Sequence, residues 1–234
     1  FKPLKNPIPM DMYIKRTNSE LIEILYQQSL LTFESQLSLR DEIQKRDIQI
    51  DFSPLEISIS NKLTQIKNLE YLKDFGFIAE NSAEGIRVTR TKKAMVNDIT
   101  AIILGVIVFL IGVYGCINLV FTFINGDELD VFSLAYKFAI AGCIFIGIGF
   151  FSGLKRIFDY TGFELTNFNG LITLKKRFDI KLDEIKANAS EIAIETDEDK
   201  LFLKLGDLAI FTSNADNLVQ TLTLKELAKK LKGA

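Results

Sequence analysis

Any chemistry in this chain must come from carboxylates, amines, guanidinium groups, hydroxyls and two cysteines, because its 234 residues include no His. That removes His-based triads, His metal ligands and any imidazole acting as acid or base near neutrality. The densest carboxylate cluster is Glu195, Asp197, Glu198 and Asp199. It lacks the glycine and ligand spacing of an EF-hand, and a polar turn between strands accounts for it. Asp127 and Glu128 lie in a six-residue connection between apolar runs, with no scaffold to hold two carboxylates in different protonation states. Cys116 and Cys143 fall inside those runs and read as small packing residues; two thiols alone complete neither a structural zinc site nor a disulfide framework. No phosphate-binding loop, dinucleotide fingerprint or nucleophile elbow is present. The expectation is a protein that is not an enzyme and uses no cofactor or metal.

The elements around these residues follow from where the hydrophobicity sits. The composition is 48% hydrophobic and 25% charged, with a net charge of −2 and a mean hydropathy of +0.19. Near-neutrality argues against a general nucleic-acid-binding surface. From Ile99 to Ile124 there is no charged residue, and from Val131 to Leu154 only Lys137. Since about 20 helical residues span a bilayer core, the pattern predicts transmembrane helices at 99–124 and 131–154. Residues 125–130 form the external loop between them. Arg87, Arg90, Lys92 and Lys93 precede the first run, Lys155 and Arg156 follow the second, and the loop carries only acids. The positive-inside rule places both termini in the cytoplasm. Lys137 is expected to snorkel to the outer interface, the alternative being a pair with Asp127, Glu128, Asp130 or a partner protein. Small residues recur at helical spacing: Ala135, Ala139, Cys143 and Gly147, then Gly149 with Gly153, and on the first run Gly105 with Ala101 and Gly112 with Cys116. Such ridges let helix backbones approach in lipid, either within the hairpin or toward another subunit.

Ahead of the first run, Pro3, Pro7 and Pro9 suggest an extended arm over 1–16. Residues 17–96 read as a mostly helical cytoplasmic domain with a small β-hairpin. Thr17 and Glu20 form a capping box for a helix carrying Leu21, Ile22, Leu25 and Leu30, and Thr32 caps a second helix from Phe33 to about Arg46. The stretches SELIEIL and TFESQLSLRDEIQKR resemble a helical pair found ahead of membrane spans in uncharacterised bacterial proteins. A third helix is expected from Asn61, with Leu63, Ile66, Leu69, Leu72 and Phe75, ending at Gly76. The layout YLKDFGFI followed by GIRVTRTKKA, within 61–93, resembles the last helix and wing of a winged-helix domain. That resemblance implies DNA binding, which the mixed charge of Lys62, Lys67, Lys73, Glu70 and Asp74 disfavours.

After the second run the pattern alternates. Phe168-Asn169-Gly170-Leu171 signals a two-residue hairpin turn, and strands are expected at Glu191–Thr196, Lys200–Leu205 and Leu208–Phe211. A closing helix starts at Asn217 or Thr223. Residues 157–234 are thus expected to form an antiparallel β domain with a C-terminal helix. The segment GFELTNFNGLITLKKRFDIKLDEI at 162–185 resembles bacterial pleckstrin-homology-like membrane proteins, which implies binding and self-assembly. Lys175, Lys176 and Arg177 are candidate contacts to anionic lipid. The chain as a whole reads as an α+β two-pass protein of the bacterial inner membrane. Its expected partners are the bilayer and other membrane subunits or further copies of itself. The function expected is that of an accessory or scaffold subunit; the alternative is a tethered module recognising anionic lipid, a small ligand or DNA.

Overall fold

The computed structural model describes residues 12–82, 85–125, 130–150, 152–178 and 181–233, without the side chains of 82, 152, 153, 155, 156 and 178. The arm up to residue 11 and loop residues 126–129 therefore lie outside the described residues, as do the side chains of Lys155 and Arg156 and the packing at Gly153. In chain order the helices and strands are α1 Asn18–Tyr26, α2 Phe33–Lys45, α3 Ser53–Lys67, β1 Phe77–Ser82, β2 Gly85–Arg90, α4 Lys92–Asn125, α5 Val131–Phe150 and α6 Ser152–Tyr160. There follow β3 Glu164–Phe168, β4 Leu171–Phe178, β5 Lys181–Asn188, β6 Ile192–Asp197, β7 Lys200–Leu205, β8 Leu208–Asn214 and α7 Leu218–Leu231. The chain forms two compact units, one from Phe1–Leu72 with Asn188–Ala234, the other from Lys73–Ala187.

The first unit joins the two ends of the sequence. Residues 12–16 are turned rather than extended, and Tyr13 is buried. The Arg46 guanidinium holds this turn by donating to the carbonyl oxygens of Tyr13, Ile14 and Arg16 at 3.2, 2.8 and 2.6 Å. It also donates to the buried Glu42 carboxylate at 2.6 Å. Helix α1 begins with the expected capping box: the Glu20 N–H donates to Thr17 Oγ1 at 3.3 Å, and the Thr17 N–H to Glu20 Oε2 at 2.7 Å. Leu21 and Leu25 are buried, but Leu30 is 81% exposed, because it lies in a separate 3-10 turn off the apolar face. Thr32 caps α2, accepting the Ser35 N–H at 3.2 Å. The single helix expected from Asn61 is instead α3, which starts eight residues earlier, followed by a 3-10 turn at Glu70–Phe75. The break falls at Leu69, whose φ of 61° is outside helical space, and Gly76 ends the turn at φ 84°.

Strands β6, β7 and β8 pair antiparallel in that order. Leu201, Leu203 and Leu205 alternate into the core along β7, and α7 packs on the sheet through Leu224, Leu227 and Leu231. Asn217 caps α7 by accepting the Gln220 N–H at 3.1 Å. Another free amide of its first turn, Leu218 N–H, donates to Glu34 Oε1 of α2 at 2.9 Å. A carboxylate near the chain's start thus completes the cap of its last helix.

The second unit is a five-stranded antiparallel sheet in the order β1-β2-β3-β4-β5, with the long helices inserted between β2 and β3. Asn169 and Gly170, at φ 50° and 82°, form the hairpin turn expected between β3 and β4. The hairpin β1–β2 is present as the winged-helix layout suggests. It is not a free wing: β2 pairs with β3, with Val88 opposite Leu165. Strands expected to form one domain over 157–234 therefore divide between two sheets. A lone two-stranded ribbon is marginal, and β3 completes it. β5, a strand absent from the sequence expectations, supplies the far edge.

Helix α4 has 34 residues, which is about 51 Å of helix, and α5 has 20. They pack antiparallel and almost backbone to backbone. A Cβ added at Gly112 would lie 2.7 Å from Ile144 Cα, one at Gly115 2.6 Å from Ala141 N, and one at Gly147 2.7 Å from Phe109 Cα. Most of the remaining surface of both helices is exposed and apolar, including Leu110, Phe121, Phe132 and Phe145.

Candidate functional site

The site grows from the junction where β2 becomes α4. Arg90 ends the strand, and Thr91 caps the helix by accepting the Ala94 N–H on its hydroxyl at 3.1 Å. The Thr91 N–H donates to the Gly76 carbonyl at 2.8 Å, drawing the start of β1 against the helix. Two turns into α4, Asp98 presents its carboxylate to the Arg90 guanidinium, and both side chains are nearly buried. The guanidinium also lies 4.9 Å from the Tyr160 ring centre and 5.6 Å from that of Phe77. Phe77, Tyr160 and Phe163 contact one another edge to face, with centroids 4.9–5.9 Å apart. The Lys176 ammonium sits 5.7 Å from the Tyr160 ring. A buried charge is costly unless paired, so this arrangement ties α4 to the sheet.

Beside the cluster lies a cleft of about 750 Å³ whose polar wall includes Lys73, Asp74, Arg90, Lys93, Asn97 and Tyr160. Lys73 and Lys93 are exposed, and neither forms an ion pair with a carboxylate among the described residues. With Arg90 and Asp98 neutralising each other, Lys73 and Lys93 against Asp74 leave one net positive charge. Such a wall suits binding of an anion. Among the described residues no group of three His, Cys, Asp or Glu side chains is placed to hold a metal.

The residues singled out in sequence scatter over several places. Arg90 and Lys93 meet at the cleft, Lys92 is exposed beside it, and Arg87 pairs with Glu164 of β3 at 2.6 Å. Lys175 pairs with the same Glu164 at 3.2 Å. Lys176 belongs to the Tyr160 cluster, and Arg177 is half-buried with its Nε sealed from solvent. Because strand residues alternate faces, these three do not form one cationic surface. Gly105, Gly112 and Gly147 lie in the α4–α5 contact, where Gly105 faces Phe150. Ala135, Ala139 and Gly149 face outward, and Cys143 is half-buried with its thiol 3.7 Å from the Ala139 carbonyl. Lys137 does not reach outward alone: its Nζ donates to Thr122 Oγ1 at 2.7 Å, and Thr122 donates to the Asn118 carbonyl at 2.9 Å. The acidic cluster is the β6–β7 turn, with Glu195 paired to Lys204.

Sequence reasoning missed Asp98, Tyr160 and Phe77, and weighed Lys73 only for the winged-helix resemblance. Asp98 did carry a signal, since a carboxylate directly before an uncharged run of this length needs a cation to neutralise it.

The fold and this junction define a class: an α+β chain whose packed helix pair is, by length and composition, apolar enough to cross a membrane, and which is rooted in an antiparallel sheet. No protein-family model, curated protein or solved structure matches the chain.

Proposed function

We propose that the chain is a two-pass anchor of the bacterial inner membrane, with both flanks cytoplasmic, serving as a non-enzymatic scaffold or accessory subunit of a larger membrane complex. The observation that carries the anchoring is the exposure of the helix pair. The most apolar windows of α4 and α5 are only 17% and 11% buried. Core helices of a water-soluble protein would be mostly covered, and an exposed apolar belt of this extent needs lipid. The pairing of β2 with β3 supports a hairpin that leaves and re-enters one compartment. The basic residues at that end and the acidic loop at the other support a cytoplasmic assignment. The outward Ala135, Ala139 and Gly149 support close approach by a further membrane helix.

Detergent extraction, mass measurement and identification of co-purifying proteins test the scaffold role. The expected result is a particle heavier than the 26.4 kDa chain with its detergent, containing a stoichiometric companion or further copies. A monomer without companions would overturn it.

A further inference from the structure

We infer that the cleft at the foot of α4 binds the phosphate of an anionic phospholipid headgroup. This rests on the membrane insertion proposed above and adds a ligand to it. Three observations point the same way. First, Lys73 and Lys93 line the cleft from different elements without carboxylate partners among the described residues, so their two ammonium groups are available to an anion bound there. Second, the wall behind them is preorganised: Arg90 is fixed by Asp98, Phe77 and Tyr160, while Thr91 and Asn97 contribute polar groups to the lining. Such a site needs little ordering when a ligand arrives.

Third, the α4 face that lines the cleft continues into the apolar belt. Residues three and four apart share a helix face, so Lys93 and Asn97 stand above Thr100, Ala101 and Leu104. That stripe passes from cationic to polar to apolar, with Leu104 48% exposed. A phospholipid has the same order of phosphate, glycerol ester and acyl chain. A free phosphate compound would use the cations but leave the apolar part of the stripe unmatched. Asp74 at the rim opposes the ligand's charge, and the net positive charge of the wall remains after it is counted.

The test uses the full chain in phosphatidylcholine nanodiscs containing phosphatidylglycerol, with retained lipids identified by native mass spectrometry. Wild type should retain phosphatidylglycerol in preference to phosphatidylcholine. Lys73→Gln with Lys93→Gln should lower that preference about thirtyfold, roughly fivefold per lysine at an anionic membrane surface. Lys67→Gln with Lys229→Gln, exposed lysines of the other compact unit, should leave it unchanged. An unaltered preference in the Lys73/Lys93 variant overturns the inference while leaving the anchor reading intact. Displacement of the lipid by an equal concentration of glycerol phosphate overturns the lipid as occupant in favour of a free phosphate compound. Failure of the wild-type chain to enter nanodiscs overturns the anchor reading, and the inference with it.

Discussion

Replacing Gly112 with alanine puts a methyl group where the α5 backbone already stands. The added Cβ would lie 2.7 Å from Ile144 Cα and 2.9 Å from the Cys143 carbonyl carbon, whereas ordinary contact begins at 3.4 Å. Because the obstructing atoms are backbone, the nearest being Ile144 N, no rotamer change relieves the overlap, and the helices must separate by about 1 Å at that level. Two helices in lipid are held mainly by van der Waals packing, and a gap of 0.5–1 Å forfeits about a quarter to a half of each atom pair's attraction. Overpacking of this kind costs about 1–3 kcal/mol. Alanine also raises helix propensity by about 0.8–1 kcal/mol, so an isolated measurement would understate the clash. Gly149→Ala supplies the reference, since nothing lies within 4 Å of its added Cβ and the propensity gain is shared. Unfolding in mild micelles titrated with sodium dodecyl sulfate, followed by circular dichroism, should place Gly112→Ala about 1–3 kcal/mol below Gly149→Ala. Equal stability of the two variants would refute the backbone contact at Gly112.

Other outcomes follow from the first compact unit. Arg46→Ala should destabilise by about 3–5 kcal/mol in urea unfolding, because it strands the buried Glu42 carboxylate and frees the turn at Tyr13. Glu34→Ala should raise the hydrogen-exchange rate of the Leu218 amide and weaken the start of α7 by about 1 kcal/mol. The backbone N–H and hydroxyl of Thr17, with Arg16 beside them, hold the Glu20 carboxyl below its ordinary range. Its folded value is depressed, so the capping box contributes fully above the unfolded carboxylate range and is lost as pH falls through the lower, folded value. Carbon-13 titration of Glu20 in Thr17→Ala should show the carboxyl moving back up.

Local features were legible in the sequence because their physics is local. The Thr17–Glu20 box, the Thr32 cap and the Asn169-Gly170 turn each involve residues two or three apart, so spacing alone specifies their hydrogen bonds. The apolar runs were legible because length and hydropathy are additive along the chain, although α4 extends seven residues earlier than its uncharged run. The α3 boundary was misplaced because the heptad-like leucines continue through Leu69, while the backbone there turns to positive φ. The Lys137–Thr122 bond was not legible because nothing in sequence pairs two residues fifteen positions apart across the hairpin.

What the amino-acid order determined by itself is a pair of apolar runs, carrying Lys137 as their one charge, with basic flanks and an acidic connection, capped helices on one side and alternating strands on the other. Tertiary structure alone decided how these combine. It paired β2 with β3 around the whole helix insertion, divided the later strands between two sheets and set Glu34 on the Leu218 amide. It also selected the glycines buried between helices and gathered Lys73, Arg90, Lys93, Asp98 and Tyr160 at one cleft. The physical reason is that an edge strand, a free helix amide or a buried carboxylate states a need for a partner, but not where along the chain that partner lies. Only the closure of the fold brings the partners within bonding distance.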